Sequence, residues 1–249
     1  MAVMKQFKAG DKKFPVYVTE PTASGTVKGG LIVVHEVWGL VDHIKQVADR
    51  FAAEGYLVVA PDLLSDTGMD EQVAIKLQRE LFNPETRNQA QPAMREFMAP
   101  LHAPGFAEDT VAKLKTCFNY LMDQPKAHEQ VAIVGFCFGG TYSFSLAVAE
   151  PKLRAAAPFY GHADYGVKQL KQISCPILAF YGQQDKGLMD GLGLLKNDMQ
   201  EANIDFTAQV YPDCGHAFFN DTNIFAYNQT AAMDAWSRVL EFLGINLSE

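Results

Sequence analysis

The chain has 249 residues, 48% of them apolar and 20% charged, with a formal net charge of −8. That length is enough for one large buried core, and the acidic balance argues against nucleic acid or an anionic membrane as the main partner. No apolar run is long enough to span a bilayer, and the start, Met1-Ala2-Val3-Met4-Lys5-Gln6-Phe7, lacks the apolar core of a signal peptide.

Segment 14–19 reads as an early strand after a polar turn around Gly10 and Asp11. Residues 30–35 form a continuous apolar run, the pattern of a strand buried on both faces. A helix is predicted over 43–54 and stopped by Gly55; a strand over 56–60 is cut off by Pro61 and Asp62. Segment 63–105 is long and polar for a connection and carries two short helical patterns, 71–82 and 87–98. It reads as a helical insert or lid, with a packed surface excursion as the alternative. Helix 109–122, strand 131–134, helix 139–149 and strands 155–160 and 176–181 follow. A helix over 189–201, a strand over 206–211 and a helix over 228–243 complete the pattern. Such alternation predicts an α/β fold, a mostly parallel sheet with helices on both faces joined by right-handed crossovers. With no repeat, low-complexity tract or linker, residues 1–249 read as a single domain. Cys117, Cys137, Cys175 and Cys214 form no Cys-x-x-Cys pair and are too scattered for a disulfide framework, so a cytoplasmic protein is expected.

Cys137 stands in Gly135-Phe136-Cys137-Phe138-Gly139, between an apolar strand and a helix of small residues. This is the setting of a nucleophile elbow, with sulfur where serine is usual. The turn is so tight that flanking side chains would collide, which accounts for both glycines, and the helix start favours a negative charge on the sulfur. The same five-residue pattern also arises by chance, and free cysteine is often simply buried. The reading therefore depends on a base and a group to orient it.

In the order nucleophile, acid, histidine, Asp185 follows the strand ending at Tyr181-Gly182, and His216 follows the strand ending at Tyr211. All three lie at carboxyl ends of predicted strands, where open parallel sheets bind ligands. Asp185 also suits a turn, and His216 a loop cap. His162, with Asp164 nearby, is the rival base. His35 reads as packed, His43 and His128 as lying on polar helix or loop ground, and His102 as part of the insert. Glu36 ends the strand before Val37, Trp38 and Gly39, where a second oxyanion N–H is expected. A carboxylate there opposes a thiolate or accepts the S–H proton. Position 39 is glycine, so His35-Glu36 does not continue into a zinc motif, and no metal or cofactor is expected. Trp38, Phe136, Phe138, Tyr142 and Phe218 are candidates for an apolar acyl pocket, each with core packing as its alternative.

The end of the first parallel strand (Val33-Val34-His35-Glu36), Gly55-Tyr56 through Pro61-Asp62-Leu63, the elbow, Tyr181-Gly182 to Asp185, and Gly215-His216-Ala217-Phe218 together resemble the dienelactone hydrolase family. The resemblance implies the three-layer alpha/beta-hydrolase fold and a cysteine nucleophile. It assigns Cys137 as nucleophile, His216 as general base and acid, and Asp185 as orienting carboxylate. Glu36 would hold the resting thiol until a substrate carboxylate enters, and the N–H groups of Phe138 and Val37 would form the oxyanion hole. Trp38, Asn220, Tyr142 and Phe218 would then border the substrate. Members of the family bind a substrate carboxylate with arginines, one of them four residues after the histidine. Here that position is Asn220, which hydrogen-bonds without charge. Arg79, Arg87 and Arg95 of the insert are candidate replacements. The implied activity is hydrolysis of a small lactone or ester through a thioester. A general carboxylesterase or thioesterase, and a non-catalytic redox-responsive binding protein on the same fold, are the alternatives.

Overall fold

Continuous apolar strands can be buried only if both faces of their sheet are covered. The computed structural model, which describes residues 2–21 and 27–248, meets that requirement with one eight-stranded sheet. In chain order the elements are β1 (Val3–Ala9), β2 (Lys12–Thr19), β3 (Gly30–Val34), α1 (Asp42–Ala53), β4 (Leu57–Pro61), α2 (Glu71–Phe82), α3 (Arg87–Phe97) and α4 (Phe106–Met122). They continue with β5 (Val131–Phe136), α5 (Phe138–Ala149), β6 (Ala155–Phe159), α6 (Val167–Leu170), β7 (Ile177–Gly182), α7 (Lys186–Glu201), β8 (Phe206–Tyr211) and α8 (Gln229–Asn246).

The strand order is β1-β2-β4-β3-β5-β6-β7-β8. From β4 to β8 all neighbours are parallel, while β2 pairs antiparallel with both β1 and β4. Alternation along β3 separates two cores. Leu31 and Val33 pack toward Phe51 of α1 and Val239 of α8. Ile32 and Val34 pack toward Phe118 of α4 and Phe144 of α5. The result is the three-layer α/β architecture expected from the alternating pattern. Among the described residues no helix is long and apolar enough to cross a membrane.

Several boundaries differ from expectation for local reasons. Strand β1 was not predicted: most of it is exposed, and it carries lysines at positions 5 and 8. It exists by pairing along its whole length with β2. Helix α4 begins at Phe106 rather than 109, because Gly105 caps it at φ 82°, a left-handed conformation that glycine adopts freely. Helix α7 starts at Lys186, directly after Asp185, which serves as its N-cap residue. His43, expected on polar ground, is buried on the inner face of α1 and faces Asp221 at 3.1 Å. The insert forms α2 and α3 as predicted. Its first residues are tied to α4 by the buried Lys113, whose Nζ meets the Leu63 carbonyl at 3.1 Å and the Asp66 carboxylate.

Candidate active site

The elbow at the end of β5 is held by close backbone approach on both sides of Cys137. A Cβ on Gly135 would fall 2.0 Å from the Gly139 carbonyl oxygen, and one on Gly139 would fall 2.4 Å from that of Val34. Only glycine fits at either position. Cys137 itself has φ 54° and ψ −110°, a strained combination for a residue with a side chain. That conformation lifts the thiol off the sheet at the first turn of α5. The first N–H groups of a helix have no partner within it, and Phe138 supplies one beside Cys137.

The neighbouring strand end is fixed by His35. Its Nε2 accepts the Leu63 N–H at 3.0 Å, which leaves Nδ1 to donate to the Glu36 carbonyl at 2.6 Å. Its backbone carbonyl accepts the Gly139 N–H at 3.0 Å, and its ring stacks on Phe138 with centroids 5.6 Å apart. Burial holds the His35 pKa below the ordinary value, so the ring is a neutral spacer that sets the position of Glu36 and Val37 against the elbow.

His216 follows β8 and Asp185 follows β7, and their side chains meet at 2.5 Å between Nδ1 and Oδ2. The same imidazole borders, with Cys137, the two cavities at the elbow. Burial disfavours the imidazolium, but the electrostatic pull of Cys137 and the hydrogen bond to Asp185 outweigh it and hold the His216 pKa well above the ordinary 6.5. Cys137, His216 and Asp185 thus lie together at the carboxyl edge of the sheet, with His216 and Asp185 hydrogen-bonded. His162 lies apart from that group: its Nε2 faces Asp164 at 3.0 Å and its Nδ1 faces Thr141 Oγ1 at 3.1 Å.

Glu36 is buried beside this group, and its oxygens take hydrogen bonds from Asn220 Nδ2 at 2.7 Å and from Tyr160 O–H at 3.4 Å. Burial pushes its pKa above the ordinary 4.5, against the opposing pull of His216, Asn220 and Tyr160. Tyr160 was not foreseen as a site residue. It follows β6 at φ 39°, lies tilted with its centroid 5.0 Å from that of the His216 ring and borders the cavity that Cys137 opens into. The one signal in the sequence was a tyrosine closing an apolar strand at the binding edge.

Two of the residues expected on the substrate side lie away from the cavities at Cys137. Asn220 is fully buried and engaged with Glu36 and Thr222, so it does not border either cavity at Cys137. Phe218 is also fully buried, packed against Tyr160 and Tyr211, because Ala217 at φ 62° turns the chain back into the core just after His216. Phe136 is likewise core, stacked on Phe219 at 5.3 Å. Cys137, Val37 and His216 border two cavities. One, of about 970 Å³, lies on the α4–α5 side and includes Phe138 and Tyr142. The other, of about 800 Å³, runs under the insert and is bordered by Trp38, Phe82 and Arg87. Arg79 and Arg95 border neither.

The dienelactone hydrolase family model matches residues 14–247. A protein of Saccharolobus solfataricus described as a "Putative carboxymethylenebutenolidase" is 35% identical over 87% of this chain and 89% of its own length. The crystal structure of a "Putative Dienelactone Hydrolase" from Klebsiella pneumoniae superposes with a TM-score of 0.81 at 24% identity, covering 98% of each chain. The dienelactone hydrolase of Anabaena variabilis superposes with a TM-score of 0.69 at 14% identity over 99% of this chain and 98% of its own. Taken with the strand-end geometry, the family match and the archaeal relative make this chain a member of the dienelactone hydrolase family, a hydrolase acting on ester bonds.

Proposed function

We propose that the protein hydrolyses a lactone or ester through a thioester on Cys137. The observation that carries this reading is His216, which joins Asp185 at 2.5 Å and borders the same two cavities as Cys137. The Cys137 sulfur, its proton held by His216, attacks the carbonyl carbon, and the developing oxyanion is received by the N–H groups of Phe138 and Val37. As the tetrahedral adduct collapses, the C–O bond breaks and His216 gives its proton to the departing oxygen. His216 then takes a proton from water, whose oxygen attacks the thioester; the C–S bond breaks, the acid leaves, and the sulfur is released with the proton again held by His216. Asp185 keeps the imidazole in the tautomer with hydrogen on Nδ1 and stabilises its cation. Glu36 adds a buried carboxyl group whose pKa is raised by burial against the pull of His216. The insert, with Phe82, Arg87 and Met98 over the second cavity, acts as its cover.

Ring opening of a small carboxylated enol lactone, and release of p-nitrophenol from its acetate, should both be followed for wild type and Cys137→Ala. Loss of all turnover in a folded Cys137→Ala protein is expected. Unchanged turnover would sink the proposal. Cleavage of the acetate alone would keep the mechanism and discard the carboxylated lactone, in line with Asn220 standing where the family has arginine.

A further inference from the structure

The cavity on the α4–α5 side of Cys137 has a wall whose polar side chains are largely engaged with one another. Thr141, one helical turn beyond Cys137, pairs with His162, and His162 pairs with Asp164. Tyr165 O–H donates to Ser145 Oγ at 2.8 Å, and Ser145 Oγ donates back to the Thr141 carbonyl. Lys115 reaches the Ala149 carbonyl at 3.1 Å and pairs with Glu150. The surfaces left for a ligand are apolar. Phe106, Phe138 and Tyr142 form an aromatic cluster with centroids 4.6–6.4 Å apart, flanked by Leu101, Val111 and Leu188. The carboxylates bordering the cavity, Glu108 and Asp164, repel an anion.

At about 970 Å³ this chamber is at the upper end of ligand-pocket sizes, far more than a small lactone fills. A carboxylate buried in it would lose water beside Glu108 and Asp164, with Lys115 already paired to Glu150 and His216 to Asp185, whereas an apolar arm gains from every methylene buried. We infer that this chamber is a subsite for a bulky, uncharged, apolar arm of the substrate. The preferred class is therefore neutral esters carrying an aromatic or extended aliphatic group. This rests on the proposed Cys137 mechanism and specifies which esters it serves.

The test compares p-nitrophenyl acetate, p-nitrophenyl octanoate and mono-p-nitrophenyl suberate on wild type, Val111→Trp and Val111→Ala. Thermal unfolding and the rate of Cys137 alkylation by iodoacetamide serve as controls for folding and thiol access. Octanoate should exceed acetate in kcat/KM by about tenfold or more, and the suberate should fall below the octanoate by a similar factor. Val111→Trp should lower kcat/KM at least about tenfold for octanoate alone if the acyl arm occupies the chamber, or for acetate as well if the aryl arm does. Val111→Ala, which only removes volume, should retain the octanoate. A flat chain-length profile unaffected by Val111→Trp, or a suberate faster than the octanoate, would overturn the inference. Failure of the hydrolase reading looks different: no ester releases p-nitrophenol. The chamber is then judged by calorimetric titration with N-phenyloctanamide. Binding weakened about tenfold by Val111→Trp supports it, and no binding to wild type overturns it.

Discussion

Asn220 Nδ2 donates a 2.7 Å hydrogen bond to Glu36 Oε2, joining residues 184 positions apart in the sequence, and both side chains are buried. Asn220 Oδ1 accepts in turn from the Thr222 N–H at 3.0 Å and the Thr222 hydroxyl at 2.6 Å. Asn220 therefore positions an acidic side chain. Removing it with Asn220→Leu leaves Glu36 with only the long Tyr160 contact. A loss of about 1–3 kcal/mol in unfolding free energy is expected at neutral pH, measured by denaturant unfolding.

The raised pKa of Glu36 fixes a pH dependence. In the folded protein this carboxyl holds its proton to higher pH than in the unfolded chain, so the folded state binds more protons across that window. Stability from this group is fully present below the ordinary value of 4.5 and is lost as pH rises through the folded value. Glu36→Gln, which cannot ionise, should thus gain in melting temperature relative to wild type as pH is raised from 4 to 8. A difference that stays constant with pH would contradict the assignment.

The elbow stores strain at Cys137, whose φ of 54° costs a non-glycine residue about 1–3 kcal/mol. Glycine relieves that strain at an entropic cost of about 0.5–1 kcal/mol. Cys137→Gly should therefore unfold about 2–4 °C higher than wild type while turning over no ester. Gly135→Ala should do the reverse. Its Cβ would lie 2.0 Å from a backbone oxygen that cannot move without dismantling the turn, so a loss of about 4 kcal/mol or more, or failure to accumulate folded protein, is expected.

How much of this was legible in the sequence depends on whether local pattern or tertiary pairing decides. The buried strands β3, β5 and β7 and the helix α2 announce themselves through apolar runs, helical period and stop residues, and the order of Cys137, Asp185 and His216 follows from strand ends. Strand β1 gave no such signal, because its stability comes from its partner β2. The direction of a side chain after an irregular turn was equally hidden. A positive φ at Ala217 sends Phe218 into the core and brings Asn220 to Glu36, and nothing in the residue types announces that turn. Tyr160 was missed for the same reason: its role comes from contacts with Glu36 and His216, both remote in sequence.

His216 offers a spectroscopic check on the proposed series. Its pKa is held high against burial chiefly by Cys137, with Asp185 as the second support. The imidazole resonances in wild type should report a proton retained well above pH 6.5, and Cys137→Ala should lower that titration point. In Asp185→Asn the orienting acceptor is lost, and by analogy with serine triads kcat should fall on the order of 10³–10⁴-fold. Wild-type rates in that variant would mean that another carboxylate orients His216.

The most direct test of the central claim is to trap the covalent intermediate. Mixing the protein with excess p-nitrophenyl octanoate, quenching in acid within the first turnovers and measuring intact mass should reveal one added octanoyl group. Peptide mapping should place it on Cys137, and it should be absent in Cys137→Ala. Full turnover with no acyl group on Cys137 at any quench time, and no loss of rate in Cys137→Ala, would contradict the account.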